Sequence, residues 1–238
     1  MMIPDIEHLV RICLDHPLPD SDRVVVSYPY IPWVPSDWNG ILVLAEAQNL
    51  SKTNADYRNN LRNMLPNEQV RRLHHDRISL GIEPWDDGSL KLAVDAALDA
   101  RSAQTAVSNG VLWSQVTDTD ANQTPSDKLV QESSGVWSEM LPVLQPMCVV
   151  SAGKKALAVV EAAKKMSGCS FEHIHLRLPS TNNLSRISGM FSGEDLLRRF
   201  PEVARVTDIY PDWVAENTQN KIFFACHAVS MCKGRVSD

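Results

Sequence analysis

Nowhere does the sequence hold a run of roughly 18 uncharged apolar residues, so no stretch of it reads as a membrane-spanning helix. Nor is a secretory leader expected, because the opening MMIPDIEHLVRICLDHP carries acids where such a leader needs a basic region. The expectation is a soluble cytoplasmic protein. Paired cysteines are missing too: Cys13, Cys148, Cys169, Cys226 and Cys232 are odd in number, scattered and without a CxxC. That pattern argues against a disulfide framework and against a cysteine-built zinc or iron-sulfur site, and leaves reduced thiols as the default. Neither GxGxxG nor GxxxxGK(S/T) occurs, which removes the main support for a dinucleotide site or a P-loop. Internal repeats and low-complexity tracts are absent. His173 and His175 alternate in FEHIHLRL and would share one face of a strand. With no Cys or carboxylate ligand at suitable spacing, a core or surface pair is expected there, and neither a metal nor another cofactor is required.

What the chain does have is apolar content, 44% of 238 residues, enough for one substantial core, and residues 1–238 read as a single domain. The net charge of −6 argues against a general polyanion binder. Yet residues 1–146 carry 11 Lys+Arg against 20 Asp+Glu, whereas 147–238 carry 12 against 9. The second part is net basic and suited to face phosphates, since affinity for nucleic acid follows local basic surface.

The spacing of Ile6, Leu9, Val10 and Cys13 after Pro4 predicts a helix over 4–15. Three prolines in DRVVVSYPYIPWVPSDWNG forbid a regular central strand beyond Tyr28. Residues 40–46 form a short apolar run of the kind a doubly covered parallel strand shows, and 52–77 read as polar loop plus short helix. Further helices are predicted at about 89–102, 126–140, KKALAVVEAAKKM, 193–200 and 212–231, with strands at VSNGVLWS, MCVVSAG and FEHIHLRLPS. This alternation predicts a three-layer α/β/α sandwich around a four-stranded, mainly parallel sheet. Ligands in such folds sit beyond the carboxyl ends of the strands. Glu46 with Gln48 and Asn49, then Asn109, then Ser180 with Asn182 and Asn183 are the polar residues expected on that rim.

An Asn offers a donor and an acceptor side by side, which is what a pyrimidine edge needs. A carboxylate can activate a water or stabilise a sugar cation as a base departs. Together they suggest cleavage of an N-glycosidic bond. At these residues the chain resembles the uracil-DNA glycosylase superfamily. AEAQN at 45–49 is similar to its first motif, GEAPG in several branches; SNGVLW at 108–113 resembles the strand of the pyrimidine-reading Asn. VVSAGKKAL at 149–157 looks like its strand, glycine turn and helix, and LPSTNNLSRIS at 178–188 resembles its second motif, most of all that of the mismatch-specific branch. The resemblance spans roughly residues 24–200, with the motifs in order.

That resemblance implies Glu46 as the catalytic acid and Asn109 as the base reader, with Gln48 and Asn49 beside the base and Tyr57 stacking on it. Pro179, Ser180, Thr181, Asn182 and Asn183 would grip the DNA, Leu184 would fill the gap left by the flipped nucleotide, Arg186 would touch the strand backbone or the opposite base, and Lys154 would contact the DNA. Ala45 replaces the motif glycine and Gln48 its proline, and Leu178 stands where many members have a His that assists departure of the pyrimidine. The second motif is also longer and richer in amides. These departures imply a larger, more polar base than uracil: a cytosine carrying hydroxymethyl or glucosyl-hydroxymethyl groups in bacteriophage double-stranded DNA, excised by a monomeric defence enzyme. The alternatives are a uracil or mismatch repair glycosylase, a non-catalytic nucleic-acid module, and a nucleoside hydrolase. Structural readings stand beside each residue: Glu46 as the cap of a helix near Asn49, Asn109 as a turn former before Gly110, Leu184 and Tyr57 as packed residues, and the basic RRLHH at 71–75 as a solvated helix face.

Overall fold

Strands and helices alternate along the chain in the order α1 (Ile6–Asp15), β1 (Ile41–Ser51), α2 (Ala55–Arg62), α3 (Pro66–Ser79), α4 (Ser89–Ala97), β2 (Ala106–Thr117), α5 (Asp127–Leu144), β3 (Cys148–Ala152), α6 (Lys154–Ser167), β4 (Glu172–Leu176), α7 (Gly193–Arg199), α8 (Pro201–Ile209) and α9 (Thr218–Cys232). The computed structural model describes residues 4–18, 24, 27–51, 55–79, 89–98, 102–117, 124–177, 193–209 and 218–233. All four strands run parallel, in the order β2-β1-β3-β4, with helices on both faces. This is the three-layer α/β/α sandwich that the alternation predicts.

β1 and β3 are central and covered twice over, which is why their sequences are apolar on both sides; every residue of β3 is buried. Leu42, Leu44 and Val149 point to one face, where they join Leu9 of α1, Met140 of α5 and Val159 of α6. Ile41, Val43 and Val150 point to the other, with Val94 of α4, Val206 of α8 and Phe224 of α9. The helix ends are set locally. Asp5 caps α1 by accepting from the N–H groups of Glu7 and His8, and Ser126 caps α5 by accepting from that of Leu129. Gly168 closes α6 in the left-handed conformation with φ 67°.

Two strands outrun their predicted lengths. β1 continues through Glu46, Gln48 and Asn49 to Ser51, because its backbone goes on pairing with β2 after a register shift between Ala47 and Asn49. β2 likewise runs to Thr117. Hydrophobicity marks the covered part of a strand, and main-chain pairing extends beyond it. Of the strand predicted over FEHIHLRLPS, Glu172–Leu176 is regular and the described Phe171 and Arg177 flank it, while 178–180 lie outside the described residues.

The polar segment 52–77 forms two helices rather than one, with Pro66 opening the second, and the helix predicted over 89–102 stops at Ala97. α8, with Pro201 in its first turn and Val203 and Val206 buried, was not predicted. The proline-rich stretch behaves as expected. Among its described residues the segment makes only isolated antiparallel bridges to β2, Val24 with Gln115 and Trp33 with Val107.

Candidate functional site

The connection after β1 delivers α4 to one face of the sheet, and the connection after β3 delivers α6 to the other. Because β1 and β3 are adjacent, the crevice between their carboxyl ends is the topological switch point, where open α/β sheets bind ligands. Ser108, Leu44, Ser151 and His175 form the last row paired across all four strands. Beyond it β3 and β4 add one more pair, Ala152 with Leu176, and β1 and β2 continue as a two-stranded ribbon. Glu46 lies two residues past that row, at the foot of the ribbon and beside the end of β3.

Its carboxylate is held from α6. Glu46 Oε1 accepts from the backbone N–H of Lys155 at 2.9 Å, one of the N–H groups a helix start leaves without an intrahelical partner. The residue before α6 makes room for it. Gly153 has φ 94°, and a Cβ there would lie 2.3 Å from Glu46 Cγ. Gly153 itself is fastened to the sheet by donating its N–H to Leu176 O at 2.9 Å. Glu46 therefore does cap a helix, but α6 across the crevice instead of one beginning near Asn49, where the strand continues. The bond occupies one carboxylate oxygen. The other accepts no hydrogen bond among the described residues, and the side chain is half-buried.

Asn109 sits within β2, eight residues before its end, so Asn109 and Gly110 form no turn. Gly110 serves close packing: a Cβ there would come within 2.8 Å of Ala156 Cα, so α6 rests directly on the strand. The Asn109 side chain is 6% exposed, and its Nδ2 donates to the hydroxyl of Tyr30, itself 1% exposed. Trp137 of α5 donates Nε1–H to the carbonyl of Gly110 at 2.9 Å and, more weakly, to that of Asn109 at 3.3 Å. The strand register puts Asn109 on the face of Ala45, and Glu46, one residue on, on the α6 face with Gly110. The two side chains thus leave adjacent strands on opposite faces of the sheet.

Lys154, the first residue of α6, is exposed beside this crevice, and Lys155 Nζ pairs with Asp127 at 2.7 Å. That ammonium holds the Asp127 carboxyl below its ordinary pKa, chiefly through the hydrogen bond and then through its charge. Gln48 and Asn49 belong to the ribbon and Tyr57 to α2 by backbone, and their side chains fall outside what the structure describes. Pro179, Ser180, Thr181, Asn182, Asn183, Leu184 and Arg186 lie outside the described residues. In the RRLHH run, Arg71 is an anchor: it pairs with Glu7 of α1 and donates to Asn67 at 2.8 Å.

The histidines of β4 also have structural work. Ser151 Oγ lies 2.9 Å from His173 Nε2 and 3.2 Å from His175 Nδ1, and the latter nitrogen is 3.2 Å from Ser151 O. A carbonyl only accepts, so His175 Nδ1 carries the hydrogen, and the Ser151 hydroxyl is free to donate to His173. His227 of α9 accepts the backbone N–H of Arg177 at 3.2 Å. Burial lowers the pKa of both His173 and His227, helped by the nearby charge of Lys164 and Arg177 respectively. Among the described residues no three His, Cys, Asp or Glu side chains cluster as metal ligands would, and no described helix is long and apolar enough to cross a membrane. Sequence reasoning passed over Tyr30 and the Lys155 N–H. A Tyr in a proline-broken loop and a backbone donor carry no sequence signal of their partners.

Fold and site together define an α/β/α protein with a parallel 2-1-3-4 sheet and a helix-anchored carboxylate at its switch point. In comparison with known proteins, no family model matches the chain, and no curated protein matches it.

Proposed function

We propose that this protein is a monofunctional DNA glycosylase that excises a modified pyrimidine, with glucosyl-hydroxymethylcytosine of bacteriophage DNA as its substrate and an abasic site as its product. The observation that carries the reading is the placement of Glu46: a carboxylate at the switch point, oriented by the start of α6, with a second oxygen that accepts no hydrogen bond among the described residues. Supporting it are Asn109 on the neighbouring strand, the exposed Lys154 and the net basic second part of the chain.

In the proposed reaction the target nucleotide is flipped from the duplex. The C1′–N1 bond breaks with its electron pair leaving on the base, and Glu46 stabilises the resulting sugar cation. A water adds at C1′ and gives its proton to Glu46, and that proton passes through solvent to the departed base anion, which restores the carboxylate. Acid-base groups suffice for these steps, so the reading needs no metal or cofactor. Residues 178–188 resemble a DNA-inserting loop and favour polymeric DNA over a free nucleoside. The enzyme would act as a cytoplasmic monomer.

One observation favours a different reading. The bond to Lys155 gives Glu46 a purely structural use, which suits a non-catalytic nucleic-acid module on the same fold. The variant Glu46→Gln separates the two, because an amide oxygen still accepts the Lys155 N–H but cannot take a proton from water. Oligonucleotides containing uracil, hydroxymethylcytosine or glucosyl-hydroxymethylcytosine, treated with alkali after incubation, report base loss as strand cleavage. Cleavage confined to the glucosylated substrate and lost in Glu46→Gln is the expected result. Cleavage of uracil would redirect the reading to repair, and cleavage undiminished in Glu46→Gln would remove the assignment.

A further inference from the structure

We propose that Arg177, with Lys154 beside it, grips the phosphodiester backbone of the strand whose nucleotide is presented to Glu46. The inference rests on the base-excision reading and deepens it. Arg177 stands just before LPSTNNLSRIS and belongs to none of the motifs that carry the resemblance.

A flipped nucleotide stays joined to its strand by a phosphate on each side. Bringing its sugar to Glu46 therefore brings those phosphates to the same rim, towards a carboxylate that repels them. Uncommitted positive charge next to Glu46 offsets that repulsion and holds the strand. Contacts of this kind set the register of the strand on the protein and carry no sequence information themselves.

The rim places two such charges by a chain of contacts that starts at Glu46. Its side chain lies against Gly153, where a Cβ would come within 2.3 Å of Glu46 Cγ. Gly153 in turn donates its N–H to Leu176 O at 2.9 Å, which ties the end of β3 to the end of β4. Lys154 follows Gly153 and Arg177 follows Leu176, so the two cations leave neighbouring backbone next to the carboxylate. Both residues are exposed, and neither side chain has an ion pair or hydrogen bond among the described residues. Lys155, in the same helical turn, is by contrast committed to Asp127 at 2.7 Å. The backbone of Arg177 is also pinned from α9, because its N–H donates to His227 Nε2 at 3.2 Å. A guanidinium on anchored backbone can take two phosphate oxygens at once through parallel N–H···O bonds, and Lys154 adds a point charge.

The test measures association constants for an unmodified DNA duplex across a salt series, with the native protein and with variants that each remove one positive charge. Arg177→Gln should lower the slope of log K against log salt by about 0.9, the value of one phosphate on duplex DNA, and equally for duplexes of different sequence. Lys154→Gln should act in the same direction. Lys165→Gln, which takes an exposed charge from the last turn of α6, should leave the slope at its native value. A native slope in Arg177→Gln, or an equal fall in Lys165→Gln, overturns the inference while the base-excision reading stands. Should Arg177→Gln fail to accumulate, a native slope in Lys154→Gln overturns it in the same way. If cytidine 5′-monophosphate loses its binding in Arg177→Gln while duplex binding is unchanged, the phosphate belongs to a free nucleotide and the strand assignment is overturned. If the native protein binds neither this duplex nor one containing glucosyl-hydroxymethylcytosine, the base-excision reading itself falls, and the role of Arg177 with it.

Discussion

At the scale of single residues, the contact between Glu46 and α6 separates stability from chemistry. Removing the carboxylate in Glu46→Ala strips the Lys155 N–H of its partner and should cost about 1 kcal/mol, as loss of a helix cap does. That lowers the thermal midpoint by roughly 2–4 °C in a chain of this size. Glu46→Gln retains an acceptor and should stay within roughly 0.5 kcal/mol of the native protein. Thermal unfolding of the two variants side by side checks this; equal losses would mean that the cap contributes nothing.

Glu46 was legible in the sequence because an acid ends the apolar run ILVL, and acids are rare in covered strands. Its partner was not legible, since a backbone N–H has no letter. Asn109 shows the converse difficulty. The pair Asn-Gly reads locally as a turn, yet Gly110 is there because α6 lies against its Cα, a contact between residues far apart in sequence.

At the scale of elements, the junction at the end of β4 depends on neutral imidazoles. His227 can accept the Arg177 N–H only while its Nε2 is unprotonated, and His173 can accept from Ser151 only in the same state. Burial lowers both pKa values from the ordinary 6.5. In the window between the ordinary and the lowered value, the unfolded chain binds more protons than the folded one, so folding weakens as pH falls. The contribution is complete above about pH 6.5 and declines below it as the unfolded histidines take up protons. Unfolding midpoints measured from pH 8 to 5 should fall in the lower part of that range. His227→Gln, whose amide oxygen still accepts from Arg177, should flatten the fall; an unchanged slope would show that His227 does not contribute.

Elements with a strong period were legible: α1, β3 and α6 stand within a residue or two of their predicted bounds. Those whose limits depend on pairing or on proline were not, as the extended β1 and the separate α8 show.

At the scale of the whole molecule, the sheet was legible because strands covered on both faces must be continuously apolar, and helices must lie between parallel strands. The strand order follows from contacts between distant segments and has no local signal. The uneven charge does have a consequence that can be measured. If the net basic second part carries the DNA contacts, binding should weaken linearly in log-log terms as salt rises, despite an overall charge of −6. Association constants for a duplex measured across a salt series report the number of phosphates engaged. A slope near zero would mean that the basic residues of 147–238 do not face DNA.

β1 lies at the centre of the sheet, yet both strands that flank it come later in the chain. Its pairing with β2 needs Ala106 onward, and its pairing with β3 needs Cys148 onward. A growing chain on the ribosome therefore presents ILVL long before either neighbour has been made. Long-range parallel pairing of this kind forms late and leaves apolar strand edges unprotected meanwhile. Vectorial synthesis thus leaves a central strand of the finished protein uncovered in its nascent form, a natural place for a chaperone to hold.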